Sequence, residues 1–255
     1  MKVDLNADVG ESFGNYECGM DSEVIRYITS ANIACGFHAS DPLIMKKTVS
    51  MAKENGAAIG AHPGYQDLVG FGRRNMAVSP AEVKAMVQYQ IGALNAFCNA
   101  AQVPLKHVKP HGAMYNMAAK DEALATAIAQ GIMEVNPELI LLGLSQSLLI
   151  SAAEKIGLRT ASEVFADRAY QSDGTLVPRN REGAIIHNED LAVRRCVRMV
   201  KEGVVTSIDG KDIPIKADSI CLHGDGEKAV IFAKRIHEEL QREGVKVTAI
   251  EEVID

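Results

Sequence analysis

Short apolar runs alternate with segments of helical periodicity along the whole chain, and that alternation leaves few architectures open. A strand, a crossover helix and a second strand in one sheet make a right-handed parallel unit, so a chain of such units builds a parallel sheet covered by helices. The strand runs are 3–9, 31–37, 57–61, 107–110, 139–144, 160–165, 219–222 and 245–250. The spacing predicts helices over 22–29, 42–54, 79–99, 121–133, 147–155, 188–202 and 227–243. Ser79-Pro80-Ala81-Glu82 offers a capping residue, a proline suited to the first helical position and a glutamate where a capping box needs it. Seven or eight such units in 255 residues favour a barrel over an open doubly wound sheet. The expected fold is therefore α/β, an irregular (β/α) barrel forming a single domain over 1–255. Within it, Asp209-Gly210 between Val204-Val205-Thr206 and Ile213-Pro214-Ile215 marks a β-hairpin insertion at 203–218.

Composition narrows the function. Lysine and arginine total 27 against 33 acidic residues, a net charge of −6 without a basic run, so nucleic acid is not an expected partner. No apolar stretch approaches ~18 residues and the first residues do not read as a leader, which excludes a membrane span and a secretory signal. Five cysteines, odd in number and without a CxxC pair, suit free thiols in the cytoplasm. With no tryptophan and 5% aromatic residues, the expected ligand is small and polar.

Strand parity then locates the chemistry. In 3–9 the odd residues are apolar, so Asp4, Asn6 and Asp8 share the other face, which in a barrel points inward. Four histidines, His38, His62, His111 and His223, end apolar runs beside Gly, Pro or Phe, at the face where barrels build active sites. Glu163 and Asp167 add carboxylates at another strand end, and Asp41 and Asp225 lie close to two of the histidines in sequence. The candidate catalytic groups are Asp8, His111, Asp41, Glu163, Asp167 and His223. Imidazole with carboxylate suits a divalent metal ion, with Asp8, His38 and His62 as its candidate ligands. Asn6, Lys109, Arg73 and Arg168 are candidate substrate binders, the cations meeting a carboxylate or phosphate. No GxxxxGK[ST] segment is present, so a self-contained ATP site is not visible.

Six segments carry a family resemblance. They are Asp4 to Glu11, Asn32 to Pro42, Gly60 to Arg74 (interrupted at 68–69), Val108 to Asn116, Glu163 to Tyr170, and Leu222 to Asp225. In this order they resemble the LamB/YcsF family, over essentially the whole chain. The resemblance implies an irregular seven-stranded β/α barrel of the glycoside hydrolase and deacetylase type. It also implies ATP-dependent opening of the lactam of 5-oxoproline to glutamate, as one component of a 5-oxoprolinase working with partner subunits B and C. Two other readings fit the residues: a metal-dependent amino-sugar deacetylase using Asp8, His38 and His62, and a non-catalytic component that presents 5-oxoproline. The wealth of His and Asp argues against the last. Asp8, at the end of its strand, is expected to matter more to activity than to stability.

Overall fold

In the computed structural model the described residues are 1–222 and 227–255. Strands β1 (Lys2–Val9), β2 (Ser30–Ala34), β3 (Ala58–His62), β4 (Leu105–Val108), β5 (Ile140–Leu144), β6 (Thr160–Phe165) and β9 (Ser219–Cys221) pair in parallel in that order, and β9 pairs back onto β1. The result is a closed seven-stranded barrel. The seam sets Asp4 against Ser219 and Asn6 against Cys221. An antiparallel pair, β7 (Val204–Thr206) and β8 (Asp212–Pro214), stands apart from the barrel.

Helices α1 (Asp21–Val24), α2 (Pro42–Asn55), α3 (Pro80–Ala100), α4 (Gly112–Ala118), α5 (Glu122–Val135), α6 (Leu148–Lys155), α7 (Glu189–Glu202), α8 (Glu227–Arg242) and α9 (Ile250–Ile254) fill the connections. Local chemistry explains their starts. Asp41 and Asp121 accept backbone N–H bonds at the heads of α2 and α5, and Ser79 with Glu82 closes the capping box of α3. Among the described residues no helix is long and apolar enough to cross a membrane.

Parity holds in β1: Val3, Leu5, Ala7 and Val9 are fully buried in the main apolar cluster, while Asp4 and Asn6 are equally buried on the inner face. The polar interior is densely hydrogen-bonded. Asp4 accepts from Thr29 and Ser30 Oγ atoms at 2.6 Å and from Ser219, Asn6 donates to Ser219 at 2.7 Å, and Asn32 donates to Asn6 at 2.8 Å. His107 reaches Asn32 at 2.7 Å. Its ring fills the space beside Gly60, where a Cβ would lie 2.0 Å from His107 Nε2.

Three expectations change. The run 245–250 does not give a barrel stave: only Lys246–Val247 (β10) pairs, outside the ring, with Lys2 and Val3. Its last residue, Ile250, opens α9 and packs with Ile140, Leu142 and Ala161. The strand expected over 31–37 ends at Ala34, because the chain turns there: Gly36 takes a φ of 91° and its N–H is bonded to the Ala39 carbonyl. Helix α4, within the loop after His111, has no counterpart in the expected elements.

Candidate active site

At the carboxyl ends of the strands a cavity of about 730 Å³ opens, lined by Asp8, Glu11, His62, Arg73, Lys109, His111, Tyr115 and Arg168 among others. Each arrives by its own route. Asp8 and His62 sit on β1 and β3, whereas Lys109 and His111 follow the end of β4, His111 preceding α4. His38 is carried in by the turn after β2. The loop after β3 is pinned by Gln90 of α3, whose amide both accepts from and donates to the backbone of Gly64 at 2.9 Å. Gly72 in that loop has a φ of 62° and packs so closely that a Cβ would meet His38 and His111 within 2.8 Å.

Glu11, His38, His62 and His111 converge, with one ligand atom from each within 4.8 Å of the others. The rings of His38 and His111 stack at 3.7 Å, and His62 lies edge-on to both. Two backbone carbonyls fix the tautomers. His62 Nδ1 faces the Lys109 carbonyl at 2.7 Å and His111 Nε2 faces the Phe71 carbonyl at 2.8 Å; carbonyls only accept, so those nitrogens carry the protons. His62 Nε2 and His111 Nδ1 are the nitrogens turned towards each other, at 2.9 Å. Asp8 Oδ2 stands 3.2 Å from the first and Glu11 Oε1 3.6 Å from the second. His38 Nε2 is 3.1 Å from the same Glu11 oxygen. Burial, and then the neighbouring rings, hold His38 and His111 well below the ordinary imidazole range, so both are neutral near pH 7. Three imidazoles and a carboxylate converging on one point form a donor set that fits a divalent cation.

Beside this cluster runs a buried chain of charge. Lys109 Nζ lies 2.9 Å from Asp8 Oδ1, 2.7 Å from Glu163 Oε1, 3.1 Å from Asn6 and 3.2 Å from Cys221 Sγ. Tyr115 donates to the other Glu163 oxygen at 2.6 Å. Burial opposes charge on Lys109 and Asp8 alike, yet their mutual attraction, with Glu163 and His62, wins: Lys109 is held well above its usual range and Asp8 well below. Both stay ionised.

The structure thus brings together Asn6, Asp8, His38, His62, Lys109, His111 and Glu163, with Arg73 and Arg168 on the cavity wall. It does not bring in Asp41, whose oxygens accept backbone N–H bonds from Leu43, Ile44 and Gly14 and so are committed to capping α2. Nor does Asp167 line the cavity. His223 lies outside the described residues. Glu11 and His111 converge with the expected His38 and His62, while Asp8 meets the cluster through Oδ2 at His62 and is bonded through Oδ1 to Lys109 and Asn32. Glu11 and Tyr115 were absent from the sequence candidates. Glu11 follows β1 by two residues in a turn, where period-two reasoning stops, and Tyr115 sits on the unexpected α4.

A closed parallel barrel with histidines, carboxylates and a buried lysine at its carboxyl rim defines a β/α barrel of the kind that carries an active site at that face. More specifically, the chain belongs to the LamB/YcsF family, whose model matches residues 3–255. It is 62% identical over 252 residues, 99% of each chain, to the A subunit of 5-oxoprolinase from Clostridium beijerinckii. To the protein of that name from Bacillus subtilis it is 56% identical over 251 residues, 98% of each. A solved structure, the lactam utilization protein of Thermus thermophilus, superposes with a TM-score of 0.93 at 47% identity, covering 98% of this chain and 100% of that one.

Proposed function

We propose that this chain is the barrel component of a cytoplasmic 5-oxoprolinase that opens 5-oxo-L-proline to L-glutamate at the expense of ATP, with subunits B and C supplying most of the nucleotide chemistry. The observation that carries the reading is the full-length likeness to proteins named as the A subunit of 5-oxoprolinase. The cavity's chemistry supports it. An unstrained lactam resists water, so phosphorylating its oxygen makes the ring carbon electrophilic. A first water adds to that carbon, the C–N bond breaks and the nitrogen takes a proton; a second water then releases phosphate from the acyl phosphate, leaving glutamate.

In this scheme Asp8, kept ionised by Lys109, accepts the proton of the attacking water, and Arg73 at the cavity wall meets the phosphate. Glu11, His38, His62 and His111 would hold a divalent cation, which supplies Lewis acidity when bound. Lys109 and Glu163 neutralise each other and fix Asp8 by one oxygen, leaving Oδ2 towards His62.

The test is glutamate and ADP formation by the enzyme assembled from this chain and its partners. Asp8→Asn should lower turnover about 100- to 10,000-fold per folded molecule, and the single chain should show no ATP-dependent turnover. Full turnover by the chain alone refutes the division of labour, and normal specific activity of Asp8→Asn makes that carboxylate scaffolding. Release of acetate from an N-acetylated amino sugar instead of glutamate from 5-oxoproline would favour the deacetylase reading.

A further inference from the structure

The long loop between β6 and α7 contributes a stretch of cavity wall that the ring-opening steps do not use. It supplies Arg168, Arg179 and Asn180 to the lining. The loop is built rather than loose: Arg168 bridges to Ile185, Tyr170 bridges to Leu176, and the Tyr170 hydroxyl accepts from the Phe165 N–H at 2.8 Å. Arg168 is 6% exposed, and its Nη2 donates to the Val177 carbonyl at 2.7 Å while its Nε has no partner among the described residues. A guanidinium buried to this extent is costly unless an anion meets it. Burial first, and the charge of Arg179 second, pull Arg168 below its ordinary range, and Asp167 only offsets this. Two other cations of the cavity are engaged elsewhere. Lys109 is already matched by Asp8 and Glu163, and Arg73 lies over the Phe71 ring at 5.0 Å, beside the histidines.

We propose that Arg168, with Arg179 beside it, is the carboxylate anchor of this site, so that the barrel selects lactams by the carboxylate next to the ring nitrogen rather than by the ring itself. The proposal rests on the 5-oxoprolinase reading. A planar guanidinium fork matches a carboxylate in shape and charge, and one of its five N–H groups is already committed to Val177. Anchoring there fixes one end of the ligand on the β6–α7 loop while the ring carbonyl is free to approach Asp8 and the histidine cluster. Arg168 then acts as a specificity residue without touching the bond that breaks.

Calorimetric titration of the full chain tests this with 5-oxo-L-proline and with 5-oxo-L-prolinamide, whose carboxamide has the shape of the carboxylate but no charge. The wild type should bind the acid about 10- to 100-fold more tightly than the amide, the span expected of a hydrogen bond to a charged group. Arg168→Lys keeps a cation without the fork and should cut that ratio, while Arg179→Gln, a change at an exposed residue of the loop, should cut it by removing the second positive charge. In both variants the affinity for the amide should stay within about twofold. A wild-type ratio near one overturns the anchor, as does equal weakening of both ligands in both variants. Inorganic phosphate displacing 5-oxoproline at equal concentration overturns it in favour of a general anion site. If neither lactam binds and the assembled enzyme does not form glutamate, the 5-oxoprolinase reading itself falls, an outcome separate from failure of the anchor.

Discussion

Asp4 lies at the bottom of the inward ladder, and its chemistry differs from that of Asp8, four residues further along the same face. Burial raises its carboxyl from the ordinary 3.8 to about 6, although hydrogen bonds from Ser219, Ser30 and Thr29 pull the other way. Because folding favours the protonated form, Asp4 costs nothing below about pH 3.8, and its penalty grows as pH rises to about 6 and is constant beyond. A displacement of that size is worth about 3 kcal/mol. Asp4→Asn keeps an acceptor for the two hydroxyls near Oδ1 and removes the charge. The stability difference between variant and wild type, followed by denaturant titration, should therefore move in favour of the variant between pH 4 and 6.5. A difference independent of pH would mean that the carboxylate stays ionised in its hydroxyl cage. Asp8 is the reverse case: it is paired with Lys109, so Asp8→Asn should lose stability as well as turnover, where an inward carboxylate alone would suggest little change.

At the scale of the elements, strands with alternating or continuous apolar residues were legible in the sequence and the turns that follow them were not. Period two placed Asp4, Asn6 and Asp8 inside because β1 remains extended throughout. The same reasoning reached His62, the last residue of β3. It reached His38 for the wrong reason, since β2 stops at Ala34 and the turn at Gly36, not parity, brings the ring to the cluster. Glu11, Tyr115 and Arg179 depend on turn geometry and long-range packing, which no local periodicity encodes. Likewise Asp41 looked like a rim carboxylate because its capping of α2 is a backbone matter. Gly60 joins two neighbouring strands into one packing unit. A methyl there would overlap the His107 ring, and that ring is fixed to Asn32. Gly60→Ala should cost about 1–3 kcal/mol, as other overpacked cores do, measured by thermal unfolding. An unchanged melting temperature would show that His107 has a second place to go.

For the whole molecule, a closed ring of strands gathers charges that would repel if left to themselves. The acceptors at the rim make a cation a component of the folded state more than of the unfolded one. A divalent ion at a hundredfold excess over its dissociation constant should add about 2.7 kcal/mol to stability. That gain should appear as a raised melting temperature after addition of zinc or manganese to chelator-treated protein, with about one ion retained per chain. No shift and no retained metal would leave a shared proton as the occupant of the cluster.

The seam between β1 and β9 also imposes a timetable. β1 finds β2 within a few tens of residues of chain, but its other edge waits for Ser219 to Cys221. Until then Asn6 lacks Ser219 and Lys109 lacks Cys221, so the floor of the cavity is unfinished and one edge of β1 stands open. A nascent chain therefore completes the floor of that cavity only once β9 has been made, and a ribosome stalled before that point holds a barrel without a seam.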